Sequence, residues 1–156
     1  MKRLNILLAA ILISLVTTSC TKTRSMLNLD TVASFEIEAS DNLNPDHDGR
    51  ASPLTLRIYK LSDNRQFSRE EFIDLYRNAN QLLGNDLIDT IVLKELVPGE
   101  QRVETIELSS EVRFLGILAE YSQYEKSRNV ISVPIVAHSK NKFELLTQED
   151  AIVLKK

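Results

Sequence analysis

Between Asn42 and Pro53 the chain places Asn44, Asp46 and Asp48 at alternate positions ahead of Gly49. This is the opening of a calcium loop, in which oxygen ligands at the first, third and fifth positions precede a glycine turn. The closing ligand does not follow. A twelve-residue cage begun at Asn44 ends at Thr55 where a bidentate glutamate is needed, and its first ligand is a neutral amide. Two carboxylates without that glutamate make a poor cage, so no metal is expected. The same residue types are also turn chemistry. Asn44 and Asp46 can accept local backbone hydrogen bonds, Pro45 fixes φ and Gly49 takes a positive φ without penalty. Pro53 suits the first position of a strand, where no ladder donor is required. Yet a hairpin needs only about two to five loop residues, and Asp41 to Pro53 is 13. The surplus length calls for a recognition role, or for a loop that is rigid for its own packing.

Catalysis finds little support. His47 and His138 lie in separate loop segments without a partner motif, and no nucleophile elbow, zinc-protease helix or phosphate loop is present. The abundant carboxylates read as solvated surface. The expectation is a protein that is not an enzyme and needs no cofactor.

The amino terminus assigns the compartment. Lys2 and Arg3 precede an apolar run from Leu4 to Val16, and Thr17, Thr18 and Ser19 lead into Cys20. This is the layout of a secretory signal peptide with its cleavage site, and the run is short for a membrane span. The alternative, an amino-terminal core helix around a buried cysteine, lacks the polar spacing such a helix needs. Cys20 is the only cysteine, so no intramolecular disulfide explains it. Its setting resembles a bacterial lipobox, although Thr17 stands where an aliphatic residue is usual. The resemblance implies cleavage before Cys20 and acylation of its thiol and freed amine, an effectively permanent multi-chain anchor. Thr21 follows where Asp would signal retention at the inner membrane, so delivery to the outer membrane is implied.

Without Lys2 and Arg3 the 19 basic residues become 17 against 22 acidic ones, a net charge of −5. That disfavours nucleic acid, which demands clustered cations, and disfavours electrostatic adhesion to membranes. The resulting organisation is a signal peptide at 1–19, a lipidated cysteine and polar tether at 20–30, and one domain at 31–156.

That domain must position the Asn42–Pro53 segment, and its patterning is that of strands. Phe35, Ile37 and Ala39 alternate with Ser34, Glu36 and Glu38, and Leu54, Leu56 and Ile58 alternate with Thr55, Arg57 and Tyr59. Further strands are expected at Thr90–Leu96, Val103–Leu108, Val112–Ser122, Val130–Val136, Lys142–Thr147 and Ala151–Lys155. Val112 to Tyr121 is apolar on both faces, as for a central strand covered on each side. Seven to eight short strands predict a mainly β sandwich. One stretch differs. Ser68 followed by Glu71 has the form of a capping box, and Phe72, Leu75 and Tyr76 then share a helical face. Gly84 is the expected stop, giving a helical insertion at about 68–84 between strands 2 and 3. Pro98-Gly99 predicts a hairpin joining Leu96 to Val103.

These residues together resemble the TssJ family, outer-membrane lipoproteins of bacterial type VI secretion systems. The similarity rests on Asn44-Pro45-Asp46-His47-Asp48-Gly49-Arg50-Ala51-Ser52-Pro53 followed by Leu54 to Leu61. It continues through Phe67, Phe72, Leu75, Leu83-Gly84-Asn85-Asp86-Leu87, Pro98-Gly99-Glu100 and Phe114 to Ala119. The resemblance implies a transthyretin-like β-sandwich seated on the inner leaflet of the outer membrane. It also implies binding of the periplasmic domain of the inner-membrane protein TssM, with oligomerisation mainly through the secretion complex. The implied partner-binding residues are those of the loop between strands 1 and 2: Asn42, Asn44, Pro45, Asp46, Asp48, Gly49 and Arg50. The alternatives are an outer-membrane lipoprotein pilotin or assembly chaperone for another envelope complex, and a transthyretin-like hydrolase, which would need histidines and arginines to converge.

Overall fold

The computed structural model describes residues 30–155, so the expected signal peptide, Cys20 and nearly all of the tether lie outside the described residues. Eight strands form two four-stranded sheets. They are β1 (Thr31–Ala39), β2 (Leu56–Leu61), β3 (Leu87–Val92), β4 (Gln101–Leu108), β5 (Phe114–Ala119), β6 (Val130–Pro134), β7 (Lys140–Thr147) and β8 (Ile152–Lys155). The first sheet has the order β4-β1-β7-β8, the second β3-β2-β5-β6. One helix, α1 (Phe72–Leu83), stands between β2 and β3.

Alternation in β1 produces the sandwich directly. Ala33, Phe35, Ile37 and Ala39 are buried against Leu54, Leu56, Ile58, Leu115 and Ile117 of the other sheet, while Glu36 and Glu38 stay exposed. Full burial of a Phe, Leu or Ile side chain in this cluster stabilises the fold by about 1.5–3 kcal/mol. β1 is antiparallel to β4 and parallel to β7, with Phe35 opposite Glu104 on one flank and Phe143 on the other. The Phe35 and Phe143 rings stack at 5.1 Å.

The second sheet is covered on both faces. Tyr59 and Leu61, on the face of β2 that alternation alone assigns to solvent, are buried with Phe67, Phe72, Leu75, Leu83 and Leu118 in a second cluster beneath α1. The Tyr59 hydroxyl donates to the Leu75 carbonyl at 3.0 Å, and burial pushes its pKa up to about 12. The two-sided reading of β5 holds: Leu115, Ile117 and Ala119 face the sandwich and Leu118 faces the helix.

Two local expectations need correction. The first is the capping box. α1 begins at Phe72 with Glu71 at its N-cap and no side-chain cap bond, and Ser68 lies in a separate 3-10 turn, Phe67–Arg69. Burying Phe67 and Phe72 in one cluster separates the turn from the helix. Ser68 is exposed, and its amide donates to Asn64 O at 2.9 Å. Ser68→Ala should therefore shift stability by no more than about 0.5 kcal/mol, to be read from the urea midpoint. A loss of 1 kcal/mol or more would restore the capping role. The stop at Gly84 is as expected: its N–H returns to Asn80 O, and Asn78 interrupts the helix with φ −132°.

The second concerns Pro98-Gly99. The turn exists, with the Glu100 amide donating to Val97 O at 3.1 Å, but it is no hairpin. β3 and β4 belong to different sheets, and the segment between them carries the chain from one sheet to the other. Leu96 is buried and bridges to Leu54. The Arg102 guanidinium fastens the crossing by donating to the carbonyls of Lys94 and Glu95.

Candidate functional site

The segment joining β1 to β2 leaves the first sheet at Ser40, whose amide donates to Thr147 O at 2.9 Å. Leu43 is fully buried and anchors the near side of the loop in the core. The far side closes where the Ser52 amide donates to Leu43 O at 2.9 Å and the Leu54 amide to Leu96 O at 2.9 Å.

Asn44 holds the loop to the rest of the molecule. It has a positive φ of 46°, a conformation asparagine tolerates better than other residues with a Cβ, and is 4% exposed. Its Nδ2 donates to Pro53 O at 2.7 Å, and its Oδ1 accepts the Ser122 amide at 2.7 Å. Its own amide donates to Glu149 O at 3.1 Å, and its carbonyl accepts from Ser52 Oγ. One residue, through its side chain and its backbone amide, thus ties its loop to Pro53, Ser122 and Glu149.

Beyond Asn44 the loop is organised by its own charges. The Asp46 Oδ1 accepts the amides of Asp48 and Arg50, both at 2.9 Å, and Oδ2 accepts Arg50 Nε at 3.1 Å. The Arg50 guanidinium also reaches Asp48 Oδ2 at 3.0 Å. Gly49, at φ 78°, completes a turn in which its amide donates to Asp46 O at 3.0 Å. The backbone N–H of Arg50 is the largest influence holding the Asp46 carboxyl below its ordinary pKa. A lowered carboxylate pKa means that its stabilising contribution is complete above the ordinary carboxylate range. That contribution is lost only as pH falls through the lowered folded-state value.

The seven sequence-selected loop residues divide into two groups. Asn44 is interior, and Pro45 and Asp46 are half-buried; Asn42, Asp48, Gly49 and Arg50 are exposed. With 74% of its side chain accessible, Arg50 presents its guanidinium outward even while paired within the loop. Alternation and turn chemistry gave no sign of the second half of this surface. Gln123 Nε2 approaches Pro45 O at 3.4 Å. Two clefts lie here, one lined by His47, Gln123 and Lys126, the other by Asn44, Pro45, Tyr121, Lys126 and Glu149.

The two histidines lie at opposite ends of β1. His47 belongs to the loop beyond the carboxyl end of β1, whereas His138 donates its backbone N–H to Thr31 Oγ1 at the opposite end. The converging histidines a hydrolase would need are therefore not assembled. Among the described residues no group of three His, Cys, Asp or Glu side chains is placed to hold a metal ion. No described helix is long and apolar enough to cross a membrane.

The model of the family T6SS-SciN, described as type VI secretion lipoprotein (VasD, EvfM, TssJ, VC_A0113), matches residues 31–150. No curated protein matches the chain significantly. Among solved structures, the T6SS lipoprotein TssJ1 from Pseudomonas aeruginosa is 29% identical with a TM-score of 0.74, covering 81% of this chain and 98% of its own. Serratia marcescens Lip, a membrane-bound component of the type VI secretion system, is 20% identical with a TM-score of 0.73, covering 82% and 98%. A chain in a structure described as the TssM C-terminal domain from EAEC is 18% identical with a TM-score of 0.65, covering 81% and 98%. The last two likenesses concern the fold alone.

Proposed function

The chain belongs to the type VI secretion lipoprotein family that includes TssJ, and we propose that it tethers the periplasmic domain of TssM to the outer membrane. In this reading Cys20 carries the lipid on the periplasm-facing leaflet, and the β1–β2 loop holds the partner. The observation that carries it is the loop's construction. Asn44 fixes its base from within, and Asp46 fixes its tip with Arg50 left accessible. A rigid, outward-facing loop loses little conformational freedom on binding, so more of its contact energy appears as affinity. The role is structural, with no chemical step.

Capture of TssM by immobilised protein tests the loop. Arginine is among the residue types enriched where truncation weakens an interface, and its planar fork suits carboxylates and carbonyls. Arg50→Ala should weaken capture roughly fivefold or more, and Arg50→Glu should weaken it further, since it repels Asp46 and Asp48 as well as an acidic partner. Near-normal capture by Arg50→Glu would remove this residue from the interface. For the anchor, Cys20→Ser should yield a folded domain that no longer fractionates with outer membranes. Unchanged fractionation would show that something other than a lipid on Cys20 holds the protein there.

A further inference from the structure

The end of the sandwich nearest the tether is where the first described residues meet the β6–β7 turn. Thr31 Oγ1 accepts the His138 amide at 2.8 Å, and the Val32 amide donates to Ser139 O at 3.0 Å. The turn is held from inside by Asn141, which is 9% exposed. Its Oδ1 accepts the Val136 amide at 2.8 Å, and its Nδ2 lies 3.0–3.3 Å from the carbonyls of Val136, Ser139 and Val32. A buried amide with this many partners fixes a turn that holds an exposed valine beside half-exposed His138 and Ser139. Val136 is 60% exposed and Pro134 is also exposed. Basic side chains flank it. Lys140 sits opposite Val32 and Lys142 opposite Ser34 on the outer face, and Arg113 accepts the Ile135 amide on its carbonyl at 2.8 Å. Acidic residues share this end of the molecule: Asp30 on the tether, Glu107 opposite Val32, and Glu111 in the β4–β5 turn. The turn is thus a small apolar contact in a rim of mixed charge, with three basic residues set against three acidic ones.

We propose that the β6–β7 turn, with Val136 at its tip and Lys140, Lys142 and Arg113 around it, rests on the phospholipid surface that carries the anchor. The proposal builds on the reading of Cys20 as the lipidated residue. The occupant follows from where the chain leaves the described structure. Cys20 and Asp30 are 10 residues apart, which spans at most about 35 Å when fully extended and about 18 Å as a flexible coil. The Val136 turn is bonded directly to the residues where that tether ends. The tether therefore keeps it within that reach of the bilayer. At such an effective concentration a contact too weak to bind vesicles on its own is populated. Phosphate groups attract the three cations within a Debye length, and the valine enters the interfacial layer. The domain would then stand on the membrane with the β1–β2 loop pointing away from it.

The test uses the full lipoprotein in vesicles of phosphatidylethanolamine and phosphatidylglycerol. Val136→Cys is labelled with an environment-sensitive dye, and Gln123→Cys, at the opposite end, carries the same dye as reference. Emission from position 136 should move to the blue, and a nitroxide lipid should quench it several-fold more than at position 123. Lys140→Glu combined with Lys142→Glu should remove most of that difference. Replacing phosphatidylglycerol by phosphatidylcholine should reduce it. Flotation with the vesicles reports the anchor separately. Protein that floats but is quenched equally at both positions overturns the docked turn and leaves the anchor standing. Protein that does not float overturns both.

Discussion

Asn44→Ala should be folded but destabilised by roughly 3–5 kcal/mol, and should lose capture of TssM. The side chain serves Pro53 O and the Ser122 amide from a position 4% exposed. Truncation leaves both groups without this partner at about 1–1.5 kcal/mol each, the low end of the range because both bonds are only part-buried. It also forces alanine to adopt φ 46°, which costs about 1–2 kcal/mol. Two further variants separate these contributions. Asn44→Gly relieves the backbone but not the missing bonds, so it should recover about 1 kcal/mol of stability and little binding. Asn44→Asp keeps the acceptor for Ser122 but sets a carboxylate oxygen against Pro53 O, so it should fall between wild type and alanine. Urea midpoints together with TssM capture decide the matter. Wild-type capture by a folded Asn44→Ala would mean that the partner does not need the loop in this shape.

Gly116→Ala should be costly for a different reason. β5 is the central strand between β2 and β6, and a Cβ on Gly116 would come within 2.5–2.8 Å of three atoms of the Phe67 ring. The ring cannot withdraw, being fully buried and packed on Tyr59 with centroids 5.5 Å apart. Overpacking of this kind costs about 1–3 kcal/mol, and Phe67→Ala should cost about 3–5 kcal/mol by opening a cavity. The double variant is the decisive measurement. With the ring gone, the extra methyl has room, so the combined loss should be clearly smaller than the two single losses added together. Strict additivity would mean that Phe67 is not what excludes a side chain from position 116.

What could be read from the sequence depended on whether the interacting groups were near each other along the chain. The alternation in β1 was legible because one core receives every second residue. The turn chemistry of Asp46 and Gly49 was legible because the carboxylate and the amides it accepts lie within five residues. Tyr59 was assigned to solvent because the helix that buries it arrives 13 residues later. The Ser68-x-x-Glu71 pattern is local, but burial of Phe67 and Phe72 overrode it by giving the serine to a separate 3-10 turn. Turn residues at Pro98-Gly99 reported a reversal without reporting which sheet receives the next strand. The roles of Asn44 were out of reach for the same reason. Ser122 and Glu149 are brought to it only by the closed sandwich.

The placement of β1 also has a mechanical consequence. The strand begins where the amino-terminal segment enters and ends where the β1–β2 loop departs. A pull between those two points runs along its length, over about 30 Å for nine residues. It lies between β4 and β7, with eight register pairs on each flank, and inter-strand hydrogen bonds stand across the strand direction. Tension applied at the two ends of β1 is therefore carried by its own covalent backbone, and the ladders on either flank are not opened one bond after another from an end. The same strand that buries Phe35 and Ile37 is thereby a tie rod, able to pass a force between the entry of the tether and the base of the loop without peeling the sandwich apart.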